Sequence, residues 1–143
     1  MSSRAIDVRR RHFVGALALA LAAGARAQPF GTPRVGLLLA ETVADQRRRI
    51  DALDGGLAEH GYVSGANVTL DIRSADGQYD RLPALAREFV LYRVDVLVAF
   101  GVKALVAAHA ATRTLPIVIP YTTSDPVAMG VIGDLTSPAR NVT

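Results

Sequence analysis

Three short segments of the chain combine residue types that could bind a small polar molecule, and each follows a stretch that predicts a buried strand. They are Glu41-Thr42, Gly101-Val102-Lys103 and Tyr121-Thr122-Thr123-Ser124-Asp125. Together they offer hydroxyls, backbone amides, an aromatic ring and charges of both signs. Parallel strands end at one edge of their sheet, and ligands of open α/β sheets bind at that edge. The segments therefore predict a site for a small zwitterionic or polar ligand. Taken singly, Thr122, Thr123, Ser124 and Asp125 could serve only as turn and helix cap.

Several catalytic motifs are missing from the sequence. It has no G-x-x-x-x-G-K-[ST] loop for nucleotide phosphates and no G-x-S-x-G nucleophile elbow, and Ala40-Glu41-Thr42 stands where a dinucleotide fold would have G-x-G-x-x-G. There is no cysteine. His60 and His109 lack partners at metal-ligand spacing, so both are interpreted as structural or exposed. These observations predict no metal, no cofactor and no catalytic residues, and they give an enzyme little support.

Strands and helices alternate along the chain. Apolar or alternating runs predict strands at Arg34–Leu39, Val68–Arg73, Val94–Phe100 and Pro116–Pro120. Helical spacing predicts helices at Asp45–His60, from Asp80 onward, at Val102–Ala111 and at Val127–Leu135. Such alternation implies a parallel sheet with right-handed crossovers. The most polar strand, Val68–Arg73, belongs at the edge, which predicts an α/β fold with a flavodoxin-like strand order 2-1-3-4.

The predicted helices carry recognisable end signals and apolar faces. Three aspartates, Asp45, Asp80 and Asp125, are predicted N-caps, and Gly61 is a predicted C-cap. The first helix should bury Ile50, Leu53 and Leu57, and the second should bury Leu82, Leu85, Ala86, Phe89 and Val90. Gly55-Gly56 lies inside the first helix, where close packing against the sheet could explain two glycines.

The first 27 residues are typical of an export signal. Arg9-Arg10-Arg11 provides a basic region, Gly15–Ala25 an apolar region, and Ala25-Arg26-Ala27 a cleavage site after Ala27. The paired arginines resemble a twin-arginine signal, and a general secretory signal is the alternative. A short membrane anchor is a further alternative, although a span needs about 20 apolar residues. Residues 28–33 are predicted to be a linker, and the protein is expected to be periplasmic or otherwise exported.

The basic character of the chain belongs largely to this signal. The chain has 16 basic and 13 acidic residues, and the first 27 residues hold five of the basic and one of the acidic ones. The remainder has 11 basic and 12 acidic residues, a net charge of −1. The run Arg47-Arg48-Arg49 is interpreted as a solvated helix face, so nucleic acid is not an expected partner.

One set of motifs, in one order, resembles a known family over residues 34–143. The set comprises Gly56-Leu57, Gly61-Tyr62-Val63-x-Gly65-x-Asn67-Val68, Gly77-x-Tyr79-Asp80-Arg81-Leu82-Pro83-x-Leu85-Ala86, Val94-Asp95-Val96-Leu97-Val98-Ala99, Pro116-Ile117-Val118, Asp125-Pro126-Val127 and Asn141-Val142-Thr143. These motifs resemble the ABC transporter substrate-binding proteins of the tryptophan-binding type, which have a periplasmic-binding-protein-like type I fold. The resemblance implies an exported receptor that captures a small solute between two α/β lobes and delivers it to a membrane permease.

The resemblance also suggests roles for individual residues. The turn after the third strand of such proteins offers backbone amides and a hydroxyl to a ligand carboxylate, and here it corresponds to Gly101 and Val102. The family often has Thr or Ser followed by Pro at this turn, whereas this chain has Val102-Lys103, whose lysine could supply charge instead. The loop before Asp125-Pro126 also faces the cleft in this fold, which makes Asp125 a weaker candidate, as a partner for a ligand amine.

The chain is expected to be the first lobe of such a receptor, truncated before the second lobe. Alone it should bind solute weakly or not at all, and its exposed inner face could promote self-association. Two other functions stay open at this point. One is an enzyme on a Rossmann-like or flavodoxin-like sheet, and the other is a periplasmic sensor or interaction domain with the same fold.

Overall fold

The computed structural model describes residues 31–121, 125, 127, 128, 130 and 141–143. It contains four strands: β1 is Arg34–Leu39, β2 is Thr69–Ser74, β3 is Val96–Phe100 and β4 is Ile117–Val118. Three α-helices connect them: α1 is Val43–Glu59, α2 is Leu82–Leu91 and α3 is Val102–Ala111. A 3-10 turn at Tyr79–Arg81 precedes α2. The predicted signal and linker, the helix expected at Val127–Leu135, and Thr122, Thr123 and Ser124 lie wholly or largely outside the described residues.

The four strands form one parallel sheet in the order β2-β1-β3-β4, which confirms the predicted topology. Helix α1 packs on one face through Ile50, Leu53 and Leu57. Helices α2 and α3 cover the other face, where Leu82, Phe89 and Leu105 are fully or almost fully buried. Because β3 is covered on both faces, all five of its residues are buried.

The close packing of α2 on the sheet depends on Gly36 in β1. A Cβ atom at Gly36 would lie 2.7 Å from Cδ1 of Phe89, which is shorter than real side chains approach one another. Phe89 is completely buried and fills the space that Gly36 leaves open. The same reasoning fails for Gly55, because a Cβ atom there would have no neighbour within 4 Å. Close packing therefore does not explain Gly55, and the expectation is wrong for that glycine; for Gly56 it stays a prediction.

The end of α1 has the geometry that the sequence predicts. Gly61 has φ 86°, its N–H donates to the carbonyl of Ala58, and the N–H of Tyr62 donates to the carbonyl of Leu57. This pair of bonds is the Schellman arrangement, which favours glycine because it requires positive φ. The motif residue Asn67 then bridges the following turn, since its side chain bonds the N–H of Val63 and the carbonyl of Gly61. This turn lies at the amino edge of the sheet and is structural.

Two of the predicted helix caps are wrong, as is one predicted core residue. The N-cap of α1 is Thr42, whose hydroxyl accepts a bond from the N–H of Asp45, so Asp45 lies in the first turn. Asp80 lies within the 3-10 turn, which runs directly into α2 and leaves no extended residue to act as a cap. Val90 is 37% exposed and lies outside the buried face of α2, whose last buried residue is Phe89.

The last three residues extend the sheet beyond β4. The N–H of Ile117 donates to the carbonyl of Asn141 at 2.6 Å, and Thr143 and Ile119 continue the parallel pairing. The Asn141 amide group donates to the carbonyls of Leu115 and Thr112. Val142 is buried in the core beneath α3. Among the described residues, no helix is both long and apolar enough to cross a lipid bilayer.

Candidate functional site

The candidate site lies at the carboxyl edge of the sheet, where β1 and β3 end side by side. Leu39 and Phe100, the last residues of these strands, are paired in register. The chain leaves β1 towards α1 on one face and leaves β3 towards α3 on the other. In open α/β sheets, the space between two loops that diverge in this way is the usual ligand position, and we refer to it as the crevice. The structure thus brings Glu41 and Thr42 to the same edge as Gly101–Lys103.

Gly101 forms the turn from β3 into α3. Its φ of 92° is readily adopted only by glycine, and a Cβ atom there would lie 3.8 Å from the Tyr121 hydroxyl. As the N-cap residue, Gly101 has no side chain to accept bonds from the first-turn amides of α3. These amides, together with the positive end of the helix dipole, can therefore bind an anionic ligand group at this edge. Val102 is buried and contributes its backbone.

Lys103 and Glu41 are brought together by Tyr79, which was not among the predicted site residues. The Lys103 ammonium nitrogen lies 3.2 Å from the centroid of the Tyr79 ring, a cation–π contact. The Tyr79 hydroxyl donates a hydrogen bond to Oε1 of Glu41 at 2.8 Å. This bond and the negative charge of Glu41 raise the pKa of Tyr79 above 10.0. One phenol ring thus joins a cation from the β3 loop to an anion from the β1 loop.

The loop after β2 supports this arrangement. Ser74 Oγ lies 2.7 Å from the backbone carbonyl oxygen of Glu41 and 2.6 Å from Oδ1 of Asp76. Asp76 has φ 53°, an uncommon conformation that aspartate tolerates better than most residues, and its N–H donates to Ser74 Oγ. These contacts connect the β1 loop to the turn that carries Tyr79.

Two predicted site residues make contacts that stabilise local structure. The Thr42 hydroxyl accepts from the N–H of Asp45 and donates to Oδ2 of the same residue at 2.7 Å. Asp125 is exposed, and its Oδ1 accepts from the N–H of Val127 at 2.9 Å. The capping role predicted for Asp125 agrees with this contact. Ligand contacts of Thr42 and Asp125 stay predictions, and Thr122, Thr123 and Ser124 lie outside the described residues.

A second group of polar and aromatic residues lies on the α1 side of the crevice. Gln46 is only 4% exposed, and its Oε1 accepts from the Tyr121 hydroxyl at 3.2 Å and from Arg49 Nη1 at 3.1 Å. The Arg49 guanidinium carbon lies 4.4 Å from the centroid of the Tyr121 ring. Phe100 meets the same ring edge-on, with centroids 6.3 Å apart. Tyr121 is therefore fixed beside Gly101 by three neighbours.

The sequence contains a signal that could have identified Gln46. Gln46 precedes Ile50 by four residues and so continues the apolar stripe of α1. A polar residue in a buried stripe must find a hydrogen-bond partner, which here is Tyr121. Arg49 belongs to the run predicted to form a solvated face, but its side chain also contacts Gln46 and Tyr121.

An open groove of about 310 Å³ lies beside the site, between the start of α2 and α3. Its lining residues are Tyr79, Leu82, Pro83, Lys103, Val106, Ala107 and Ala110.

Within the part of the chain that the structure describes, no group of three or more histidine, cysteine or carboxylate side chains could hold a metal ion. Nε2 of His109 lies 3.0 Å from Nη1 of Arg113. The pKa of His109 is lowered mainly because the ring is partly buried, and to a smaller extent because Arg113 is positively charged.

Comparison with known proteins identifies one family. A family model described as "ABC transporter substrate binding protein" matches residues 44–143, which is most of the chain. A curated relative, the "Tyrosine-binding protein" of Clostridioides difficile, is 31% identical over 86 residues, which are 60% of this chain and 25% of the relative. The chain thus spans about a quarter of that protein's length.

Three solved structures share the fold. A conserved domain protein from Vibrio cholerae matches with a TM-score of 0.73 and 32% sequence identity, and the match covers 79% of this chain and 38% of the Vibrio cholerae chain. A ligand-free, open substrate-binding protein with adhesive properties from Clostridium difficile has a TM-score of 0.72 and 25% identity, covering 78% and 37%. An ABC domain from Streptococcus pneumonia in complex with L-Trp has a TM-score of 0.72 and 24% identity, covering 79% and 38%.

Proposed function

The chain belongs to the ABC transporter substrate-binding protein family, and we propose that it forms one wall of the solute site of an exported receptor. In this proposal the solute is a small zwitterion, with an amino acid as the leading candidate. The complete receptor delivers it to a permease in the membrane. The protein acts by binding and release and catalyses no reaction.

The observation that supports this proposal most strongly is the crevice between the β1 and β3 loops. One side of it offers the first-turn amides of α3 and the ammonium group of Lys103, which together favour a carboxylate. The other side offers the carboxylate of Glu41, which favours an amine. A zwitterion carries both groups, so it complements the two sides at once. Tyr121, beside Gly101, adds an aromatic surface for the rest of the solute.

The relatives support an amino acid as the solute class. The 31%-identical Clostridioides difficile relative is named for tyrosine, and its match covers 60% of this chain. At the position where the resemblance suggests a hydroxyl for the ligand carboxylate, this chain has buried Val102 followed by Lys103. We therefore propose that Lys103 supplies the positive charge in place of that hydroxyl.

The lengths of the three solved structures support a solute site with two walls, of which this chain provides one. This chain corresponds to 37–38% of each solved neighbour, so those proteins contain much additional structure. Tight ligand sites bury about 70–90% of the ligand surface. The described residues form one wall and leave the other side of a solute at the edge in water, and for one wall alone we expect an affinity in about the millimolar range. Export through the first 27 residues and self-association through the exposed face of the lobe are further parts of the proposal.

The proposal is tested by calorimetric titration of the protein with the natural amino acids, starting with tyrosine and tryptophan. We expect weak, saturable binding of at least one amino acid, and loss of that binding in Glu41→Gln, which removes the negative charge and keeps the side-chain size. Asp51→Asn is a matched control, since Asp51 is exposed on α1 and pairs only with Arg47 among the described residues. If no amino acid binds, or if Glu41→Gln and Asp51→Asn behave alike, the proposed site is wrong.

A further inference from the structure

The groove beside the candidate site combines apolar walls with one positive charge at its rim. Its walls are Leu82 and Pro83 from α2 and Val106, Ala107 and Ala110 from α3, and Lys103 and Tyr79 form its upper end. We propose that this groove is a second binding site, which takes a small apolar monocarboxylate. The proposal goes beyond solute capture in the crevice and does not depend on it.

The walls determine the apolar part of the ligand. The five wall residues carry only hydrocarbon side chains, so a polar group placed among them would lose hydrogen bonds to water without replacement. Val106 is 43% exposed, although it is a large apolar residue in the middle of a helix. Covering it with a hydrocarbon chain removes apolar surface from water on both partners. The volume of about 310 Å³ is at the lower end of the range for small-molecule sites.

Lys103 determines the charged part of the ligand. Tyr79 holds the ammonium group at the upper end of the groove through the 3.2 Å contact with its ring. A ring face accepts no conventional hydrogen bond, and an ammonium group has three N–H donors. Within the described part of the chain, Lys103 makes no ion pair. A carboxylate can therefore bind the ammonium from the open side while its hydrocarbon chain follows the groove.

The dimensions of the groove favour a small molecule over a protein partner. Seven residues line it, whereas a stable protein interface uses about 20–30 residues on each side. The groove runs along the flank of α3, away from the crevice between β1 and β3, and the two sites have only Tyr79 and Lys103 in common. A ligand in the groove would therefore leave Glu41 and the first-turn amides of α3 accessible.

The test is a calorimetric titration of the protein with butyrate, hexanoate and octanoate, with octanamide as the uncharged analogue. We expect saturable binding at one site, with affinity rising by about two- to fourfold for each added methylene that the groove partly buries. Octanamide should bind about two- to fivefold more weakly than octanoate, which is the range for an exposed ion pair. Binding that is not saturable, or that does not depend on chain length, would reduce the effect to surface adsorption and overturn the proposal.

Two groove variants and one charge variant complete the test. Val106→Glu places a negative charge against the ligand, and Ala110→Leu fills the groove, so each should weaken octanoate binding by about fivefold or more. Lys103→Met keeps the length of the side chain and should abolish the preference for octanoate over octanamide. Circular dichroism checks that each variant is folded, and Ala110→Leu serves if Val106→Glu is not. Unchanged octanoate binding in a folded groove variant, or an unchanged preference in Lys103→Met, would overturn the proposal.

The outcomes also separate this proposal from the amino-acid site. Ala110→Leu should leave the binding of the amino acid in the crevice unchanged, because Ala110 is uncharged in both forms and lies seven residues, about two turns, from Lys103 along α3. Glu41→Gln should not weaken octanoate binding, because Glu41 does not line the groove and the change removes a negative charge near Lys103. Octanoate binding without amino-acid binding would refute only the crevice site, and the reverse result would refute only the groove.

Discussion

The ammonium nitrogen of Lys103 lies 3.2 Å from the centroid of the Tyr79 ring, and through that ring the lysine is connected to Glu41. The two charged residues come from loops that follow different strands, 62 positions apart in the sequence. Tyr79 comes from a third loop and fixes both. The charges of the candidate site are therefore positioned by one exposed aromatic residue, whose ionisation should report on the arrangement.

Replacing Glu41 should change the titration of Tyr79. The hydrogen bond to Glu41 and the negative charge of its carboxylate raise the pKa of the phenol, so Glu41→Gln should lower it towards 10.0. The protonated phenol makes the bond, so its contribution to stability is complete below pH 10 and is lost as the pH rises through the raised pKa. The absorbance of phenolate as a function of pH measures the ionisation.

Tyr79→Phe shows which part of the titration curve belongs to Tyr79. It should remove the phenol that ionises above 10.0 from the curve, since the chain has only four tyrosines and the change removes one of them. If Glu41→Gln and the unchanged protein give the same curve, the hydrogen bond between Tyr79 and Glu41 is not formed in solution.

Gly36→Ala should destabilise the protein. The new methyl group would lie 2.7 Å from Cδ1 and 2.9 Å from Cε1 of Phe89, which is completely buried and cannot move aside without disturbing α2. Overpacking of this kind costs about 1–3 kcal/mol of unfolding free energy. Urea denaturation followed by circular dichroism measures the change. A loss of less than about 0.5 kcal/mol would show that Phe89 can relax at low cost.

Gly55→Ala is the matched glycine change and should have the opposite effect. Gly55 lies in the interior of α1, and a Cβ atom there would meet no neighbour within 4 Å. Alanine restricts the unfolded chain more than glycine does and favours the helix, so we expect a gain of about 0.5–1 kcal/mol. The same urea experiment measures it. A loss of stability would mean that Gly55 has a contact that the described residues do not contain.

The topology of the fold was predictable from the sequence because it depends on patterns that extend over many residues. The buried runs of β1 and β3 and the stripe of Ile50, Leu53 and Leu57 each repeat a signal several times, and the structure confirms them. The structure also confirms the edge position predicted for β2, although Ile72 of that strand is 38% exposed and its burial does not alternate. The helix starts depend on single residues. Thr42 and Asp45 are both residue types that favour the N-cap position. The choice between them depends on how many loop residues separate the end of β1 from the first turn of α1, and no local sequence pattern predicts that number.

The candidate site was predictable only in part for the same reason. Glu41 and Gly101–Lys103 directly follow predicted strands. The rule that ligands of open α/β sheets bind at the carboxyl ends of the strands therefore identifies these residues. Tyr79 follows β2 by five residues and reaches Lys103 only because a turn containing Asp76 at positive φ reverses the chain. That contact joins residues 24 positions apart and leaves no periodic signal.

The hydrogen bond between Gln46 and Tyr121 should stabilise the α1 side of the crevice, and a double-mutant cycle can measure it. Gln46→Met keeps the size of the side chain and removes the acceptor for both the Tyr121 hydroxyl and Arg49. Because Gln46 is almost completely buried, we expect a loss of about 1–2 kcal/mol of unfolding free energy. Tyr121→Phe removes only the hydroxyl and keeps the ring that contacts Phe100 and Arg49.

The two changes together should cost less than the sum of the single changes, because either one already breaks the bond. A coupling of about 0.5–1 kcal/mol is expected for a hydrogen bond between neutral groups in a partly buried position. Urea denaturation of the four proteins of the cycle gives this value directly. Strict additivity would show that the bond contributes nothing, and Tyr121 would then be held beside Gly101 by the packing of Phe100 and the stacking of Arg49 alone.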